Sequence, residues 1–331
     1  MKLIAETAWH HDGNFDFFRN LVKEITKNTQ TDYIKFHITL NLDEYMHTDH
    51  PAYQWAKERI FTKEQWTEIL NIALTNNKKL MLLYNDKQAI DFGMTFKPEI
   101  VEIHSVCLND INLLKHLKEK INTDTKIVLG VGGSDLYEIE NAINILDSAN
   151  IVLMHGFQNY PTKYEDINFA KIKKIMQLFP HFEHGYADHT AWNNDSNILI
   201  TLFGAALGMT YIEKHVTIEW GKERCDCNSA ISINMFNELN EKLKVLSQAY
   251  GNGFLSLNEG EKSYSKFGAN KKAAILKKSV KKGELFTANC YEFKRTGQSS
   301  DLSQIDVLAS IGKKFSTNLL EGHCIVKSNL E

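Results

Sequence analysis

The sequence lacks any apolar run approaching the ~20 residues that a membrane-spanning helix needs. It also lacks an excess of positive charge: 38 lysines and arginines stand against 41 acids, interspersed along the chain, for a formal net charge of −3. With no basic face in view, nucleic acid is not an expected partner. There is no secretory signal, because the opening MKLIAETAWHHDG turns polar too soon and already reads as a strand, so a cytoplasmic protein is expected. Cysteines are few and odd in number, at 107, 225, 227, 290 and 324, which argues for reduced thiols and against a disulfide framework. Cys225 and Cys227 form a C-x-C pair with no second pair nearby, a weak basis for zinc. What remains is an ordinary globular composition, 43% hydrophobic and 24% charged over 331 residues, enough for one large domain and a small one.

Short apolar, β-branched runs recur along the first 220 or so residues: 2–8, 32–38, 79–84, 100–105, 126–132, 150–156, 181–188 and 210–217. Between them lie amphipathic helical patterns. The clearest, 134–148, places Leu136, Ile139, Ala142, Ile143 and Leu146 on one face, with Ser134 as N-cap and Asp135 in the first turn. Eight β–α units in about 250 residues predict a (β/α)8 TIM barrel. An open doubly wound sheet is the competing architecture, since strand count does not prove closure. A closing helix is expected over 234–253, so the barrel domain is taken as 1–253, a polar linker as 254–270, and a small domain with short strands as 271–331.

The C-terminal ends of barrel strands form the active-site rim. Here they carry His10, His11, His37, His104, His155, His189 and His215, seven of the chain's 13 histidines. One such histidine is usually a hydrogen-bonded rim residue, but seven on one rim suggest metal or proton chemistry, since imidazole is a common neutral ligand and proton carrier. The same ends carry Lys35, Ser105, Gln158, Asp188 and Lys214.

The motifs AETAWHHDG, YIKFH, HGFQNYPTKYEDIN, GYADHT, IEKHVT and KRTG, in this order, resemble the bacterial sialic acid synthase family, which makes N-acetylneuraminate and related nonulosonic acids. The resemblance runs from residue 2 to about 326, and implies that the tail is an antifreeze-like (SAF) module. It implies a metal-dependent enzyme of surface-glycan biosynthesis. That enzyme would condense phosphoenolpyruvate with the open-chain aldehyde of an N-acylated amino sugar, with Mn2+ or Mg2+ as cofactor. His189 and His215 match the family's metal ligands. Glu6 matches a glutamate facing the substrates, Lys35 a lysine pairing with donor oxygens, Tyr160 the tyrosine of Y-P-T near the donor, and Asp226 an aspartate bonding the sugar. Ser105, Gln158, Asp188, Lys214 and His11 fall at further substrate-binding positions. Arg295 matches an arginine reaching into the partner subunit's barrel, which implies a domain-swapped homodimer.

Several positions depart from the family pattern. Glu102 stands for a phosphate-facing lysine, Gly130 and Ala187 for serines, Gln158 for an asparagine, Cys107 for an acid and His10 for an asparagine. Replacing lysine by glutamate changes the local charge by two units and makes a pocket repel an anion. Two further readings therefore stand beside the first: a paralogue with a less anionic donor (an aldolase, lyase or isomerase type), and a non-catalytic sugar-binding relative.

Overall fold

A computed structural model describes residues 1–331, which divide into two compact units, Met1–Gly251 and Asn252–Glu331. The first is a closed barrel of parallel strands: β1 (Lys2–Glu6), β2 (Tyr33–Ile38), β3 (Lys79–Tyr84), β4 (Ile100–Ile103), β5 (Lys126–Gly130), β6 (Ile151–His155), β7 (Glu183–Asp188) and β8 (Tyr211–Thr217). Each pairs with the next, and β8 returns to β1 with Ile4 opposite Glu213 and Glu6 opposite His215. That last pairing excludes the open sheet. A two-residue strand, β9 (Ile231–Ser232), pairs with Val216 and Thr217, beyond the register of β8 with β1.

Because side chains alternate across a strand, every second residue points into the barrel. Ile4, Tyr33, Met81, Ile100, Val128, Val152, Met154, Ala187 and Tyr211 form the inner packed cluster. The opposite faces pack under the helices, where Leu3, Ile34, Phe36, Leu80, Val101 and Ile212 join the larger core. The helices are bounded by local chemistry. Thr62 and Gln65 form a capping box for Lys63–Thr75, and Asn14 caps Phe15–Asn28. The helix predicted over 134–148 runs Leu136–Leu146, and its N-cap is Asp135 rather than Ser134, since Asp135 and Glu138 close a reciprocal capping box. The closing helix runs Ile233–Tyr250 and stops at Gly251.

Gly204, in the helix Asn197–Ala205, lets that helix lie on the buried ring of Tyr186; a Cβ there would come within 2.2 Å of the ring. Gly204→Ala is therefore expected to cost about 1–3 kcal/mol of stability by overpacking, despite the better helix propensity of alanine. Urea unfolding monitored by circular dichroism checks this, and an unchanged midpoint would refute it.

The second unit holds an antiparallel pair, β10 (Ala273–Leu276) and β11 (Tyr291–Lys294), with Ala274 opposite Phe293. Its core gathers Ala274, Leu276, Val280, Phe286, Phe315 and Ile325. Barrel plus small antiparallel unit is the expected fold, and the second part is consistent with an antifreeze-like module. Residues 254–270, expected as a linker, include a capped helix, Glu259–Tyr264, and a bridge from Phe267 to Ser300. No helix is long and apolar enough to cross a membrane.

Candidate active site

The inward alternation ends, at the C-terminal mouth of the barrel, in polar residues. Glu6 on β1, Lys35 and His37 on β2, Glu102 on β4, Glu213 and His215 on β8, with His104 and His189 just past their strands, line one cavity of about 320 Å³. Ser105, Tyr160 and Asp226 line it too.

Glu6, His189 and His215 are all buried, and one ligand atom from each lies within 4.8 Å of the others. The imidazole rings of His189 and His215 have centroids 4.8 Å apart. His189 Nδ1 lies 3.0 Å from the Ala187 carbonyl, which can only accept, so that nitrogen carries the proton and Nε2 keeps its lone pair. His215 Nδ1 contacts Ser229 Oγ at 3.2 Å, which orients its ring, and its Nε2 is 3.3 Å from Glu6 Oε2. Glu6 Oε2 is buried without a hydrogen-bond partner. Burial, helped by neighbouring His215, pushes His189 down to about 3, so it is a neutral ligand at pH 7. Burial alone would raise Glu6, but Lys35, His215 and His37 hold it well below the ordinary carboxylate range. An anionic oxygen and two imidazole nitrogens form a donor set that fits a divalent ion and leaves further coordination positions for substrate.

Beside the triad lies a second cluster. Lys35 Nζ donates to both oxygens of Glu213, at 2.9 and 3.0 Å. It also lies 2.8 Å from Glu102 Oε2 and 3.2 Å from Glu6 Oε1. These side chains are at most 3% exposed. Burial would lower the lysine, but Glu102, Glu213 and Glu6 together raise it, so it stays charged. Burial first, then the neighbouring carboxylates, raises Glu213, and burial raises Glu102. His37 contacts Glu6 Oε1. Burial also pushes His104 and His155 down to about 3, so these two wall histidines are neutral at pH 7.

The predicted residues thus separate. Glu6, Lys35, Ser105, Tyr160, His189, His215 and Asp226 share the cavity. Asp226 accepts from the Trp9 backbone N–H at 2.9 Å, and burial followed by the nearby Asp226 raises the Tyr160 phenol, which keeps its proton. Asp188 and Lys214 point the other way: Asp188 pairs with Lys214 at 2.6 Å and accepts from Thr201 Oγ1 and from Thr190, between strands and helix. His11 accepts from Gly13 N–H and packs against Phe18 and Phe61. Gln158 lines a neighbouring cavity and donates to Ile167 O. Arg295 lies in the second unit, where Nε donates to Ala269 O. Sequence reasoning missed Glu213 as a cavity residue and Glu6 as a metal partner. Strict alternation along YIEKHVT, which puts Tyr211, Glu213 and His215 on one face, could have found the first.

Residues 21–254 match the model of the NeuB family. The chain is 26% identical over 340 residues to the N,N′-diacetyllegionaminic acid synthase of Campylobacter jejuni, covering 98% of each chain. It is 24% identical to a pseudaminic acid synthase of the same species, covering 99% of this chain and 96% of that one. The N-acetylneuraminic acid (sialic acid) synthetase of Leptospira borgpetersenii, solved with citrate, superposes with a TM-score of 0.71 at 23% identity, over 79% of this chain and 88% of that one, a likeness of fold alone.

Proposed function

The chain belongs to the NeuB family, and from that premise we propose a carbon–carbon bond-forming synthase that joins a three-carbon donor to the open-chain aldehyde of an N-acylated amino sugar. The observation that carries the reading is the buried Glu6–His189–His215 triad at the barrel mouth. Glu6, His189 and His215 would hold a divalent ion such as Mn2+ or Mg2+, which would supply Lewis acidity toward a carbonyl oxygen. The chain's own residues do the rest. Glu6 adds a carboxylate beside the reacting atoms, and Tyr160 offers a phenolic proton. Asp226 is fixed by Trp9 N–H through Oδ2, which leaves Oδ1 to accept a sugar hydroxyl. Arg295 belongs, on this reading, to a domain-swapped homodimer in which it reaches the partner's barrel.

Phosphoenolpyruvate is the donor that the resemblance implies. A second reading, with a less anionic donor, is favoured by the three carboxylates already around Lys35. The test is product formation. Enzyme with Mn2+, N-acetylmannosamine or a related acylated amino-sugar aldehyde, and either phosphoenolpyruvate or pyruvate should yield a new acid by mass spectrometry. Chelation should abolish it. A metal-loaded enzyme that joins no such pair would sink the reading.

A further inference from the structure

Apart from the barrel mouth, the loops that follow β7 and β8 build a second cavity, of about 580 Å³, against the helices Asn197–Ala205 and Ile233–Tyr250. Two indoles form its wall. Trp192 lies three residues past His189 and Trp220 three past the end of β8, and their rings meet edge to face with centroids 5.1 Å apart. Trp220 is 47% exposed. Ile198, Leu202 and Met235 give the cavity an apolar side, and Asn193 and Asp195 give it an exposed polar rim. The other charged lining residues, Glu238 and Lys242, pair with each other at 3.2 Å, so no cation is left over for an anionic ligand.

Asn197 shows what the cavity lacks. It lines the cavity at 2% exposure, and its Nδ2 donates to the carbonyls of Thr190 and Ala191 at 2.7 and 3.0 Å. Its Oδ1 is buried with no hydrogen-bond partner. Such an orphan is rare in a folded protein and calls for a bound group. Only an amide nitrogen can face two carbonyls, so the oxygen is correctly placed and can only accept. The missing partner is therefore an N–H or O–H donor, which excludes phosphate and carboxylate groups. Indole faces carry the negative side of a quadrupole and favour C–H groups over anions. Aromatic faces, an apolar side and a few polar groups, in a volume inside the ~300–1,000 Å³ of small-ligand sites, fit a ring with C–H faces and a hydroxylated edge.

We propose that this cavity is a saccharide site for a neutral N-acylated pyranose. The sugar ring lies on Trp220, a ligand N–H or O–H donates to Asn197 Oδ1, and the acyl methyl packs on Ile198, Leu202 and Met235. The site shares no lining residue with the barrel-mouth cavity, and the proposal does not rest on the synthase reading.

The test titrates the purified chain with N-acetylmannosamine, N-acetylglucosamine and glucose. Binding is read by tryptophan fluorescence and by saturation-transfer NMR from protein to the acetyl methyl and ring protons. Both acetylated sugars should bind, and glucose at least ~10-fold more weakly, since it lacks the acyl N–H and methyl. Trp220→Ala and Asn193→Ala, both at exposed residues, should weaken binding, the first by at least ~10-fold. Asp226→Ala, at the barrel mouth, should leave it intact. No binding by wild type at ~50 mM sugar, or glucose bound as tightly as the acetylated sugars, overturns the proposal. Binding lost in Asp226→Ala and kept in Trp220→Ala overturns it as well, by returning the sugar to the barrel mouth. So does a Trp220→Ala chain that loses sugar binding together with a change of oligomeric mass in light scattering, which gives this face to a second copy of the chain. The wild-type titrations with three sugars decide the matter even where a variant does not fold.

Discussion

His189→Ala is expected to lose the divalent ion and to lower kcat/KM by on the order of 1,000-fold or more. A Lewis acid contributes several kcal/mol to a carbonyl-addition transition state, and about 1.4 kcal/mol corresponds to each factor of ten. The imidazole is only 6% exposed, but it lines an open cavity, so its loss leaves a solvated space and not a sealed void, and the fold should survive. His11→Ala is the control. His11 is equally a histidine of the barrel rim in sequence, yet its ring packs on Phe18 and Phe61 outside the cavity. It should lose some stability and keep the metal. Metal analysis of both purified variants, with thermal melts alongside, separates the two. Stoichiometric metal in His189→Ala would refute the triad.

That contrast marks how far the sequence was legible. The eight strands show as β-branched runs because each is buried on both faces, and the helices between them as amphipathic patterns with local caps. Closure was not legible, because the pairing of Glu6 with His215 joins the two ends of the barrel. Within strands, the period of two sorts the site. Lys35 and His37 fall inside with Tyr33, and Glu102 falls inside with Ile100, while Asp188 and Lys214 fall outside. Reading strand ends as undivided clusters merged these two faces. Beyond the strands the rule lapses: nothing in HGFQN says that Gln158 turns to a neighbouring cavity while Phe157 lines the main one. The clamp on Lys35 was equally hidden, since it needs Glu6, Glu102 and Glu213 from three strands at one height.

The outward pair has its own role, and Lys214→Met should expose it. Asp188 and Lys214 are register partners on β7 and β8, each at most 1% exposed, joined at 2.6 Å. Burial would raise Asp188, but Lys214, Thr201 and Thr190 hold it below the ordinary carboxylate range. Removing the ammonium leaves a buried carboxylate without its cation, expected to cost about 3–5 kcal/mol. For a domain of this size that is a drop in Tm of roughly 6–20 °C. Asp188→Asn with Lys214→Met should recover much of it, because neither partner is then left charged, and a double-mutant cycle gives the coupling. The residues next in sequence to the pair, His189 and His215, are the proposed metal ligands. The pair therefore fixes the spacing of the two ligand-bearing strand ends, and Lys214→Met should weaken metal binding about 10–100-fold. Excess Mn2+ should restore activity per folded molecule. A variant with unchanged Tm, and with activity that no metal concentration restores, would instead place Lys214 against the substrate.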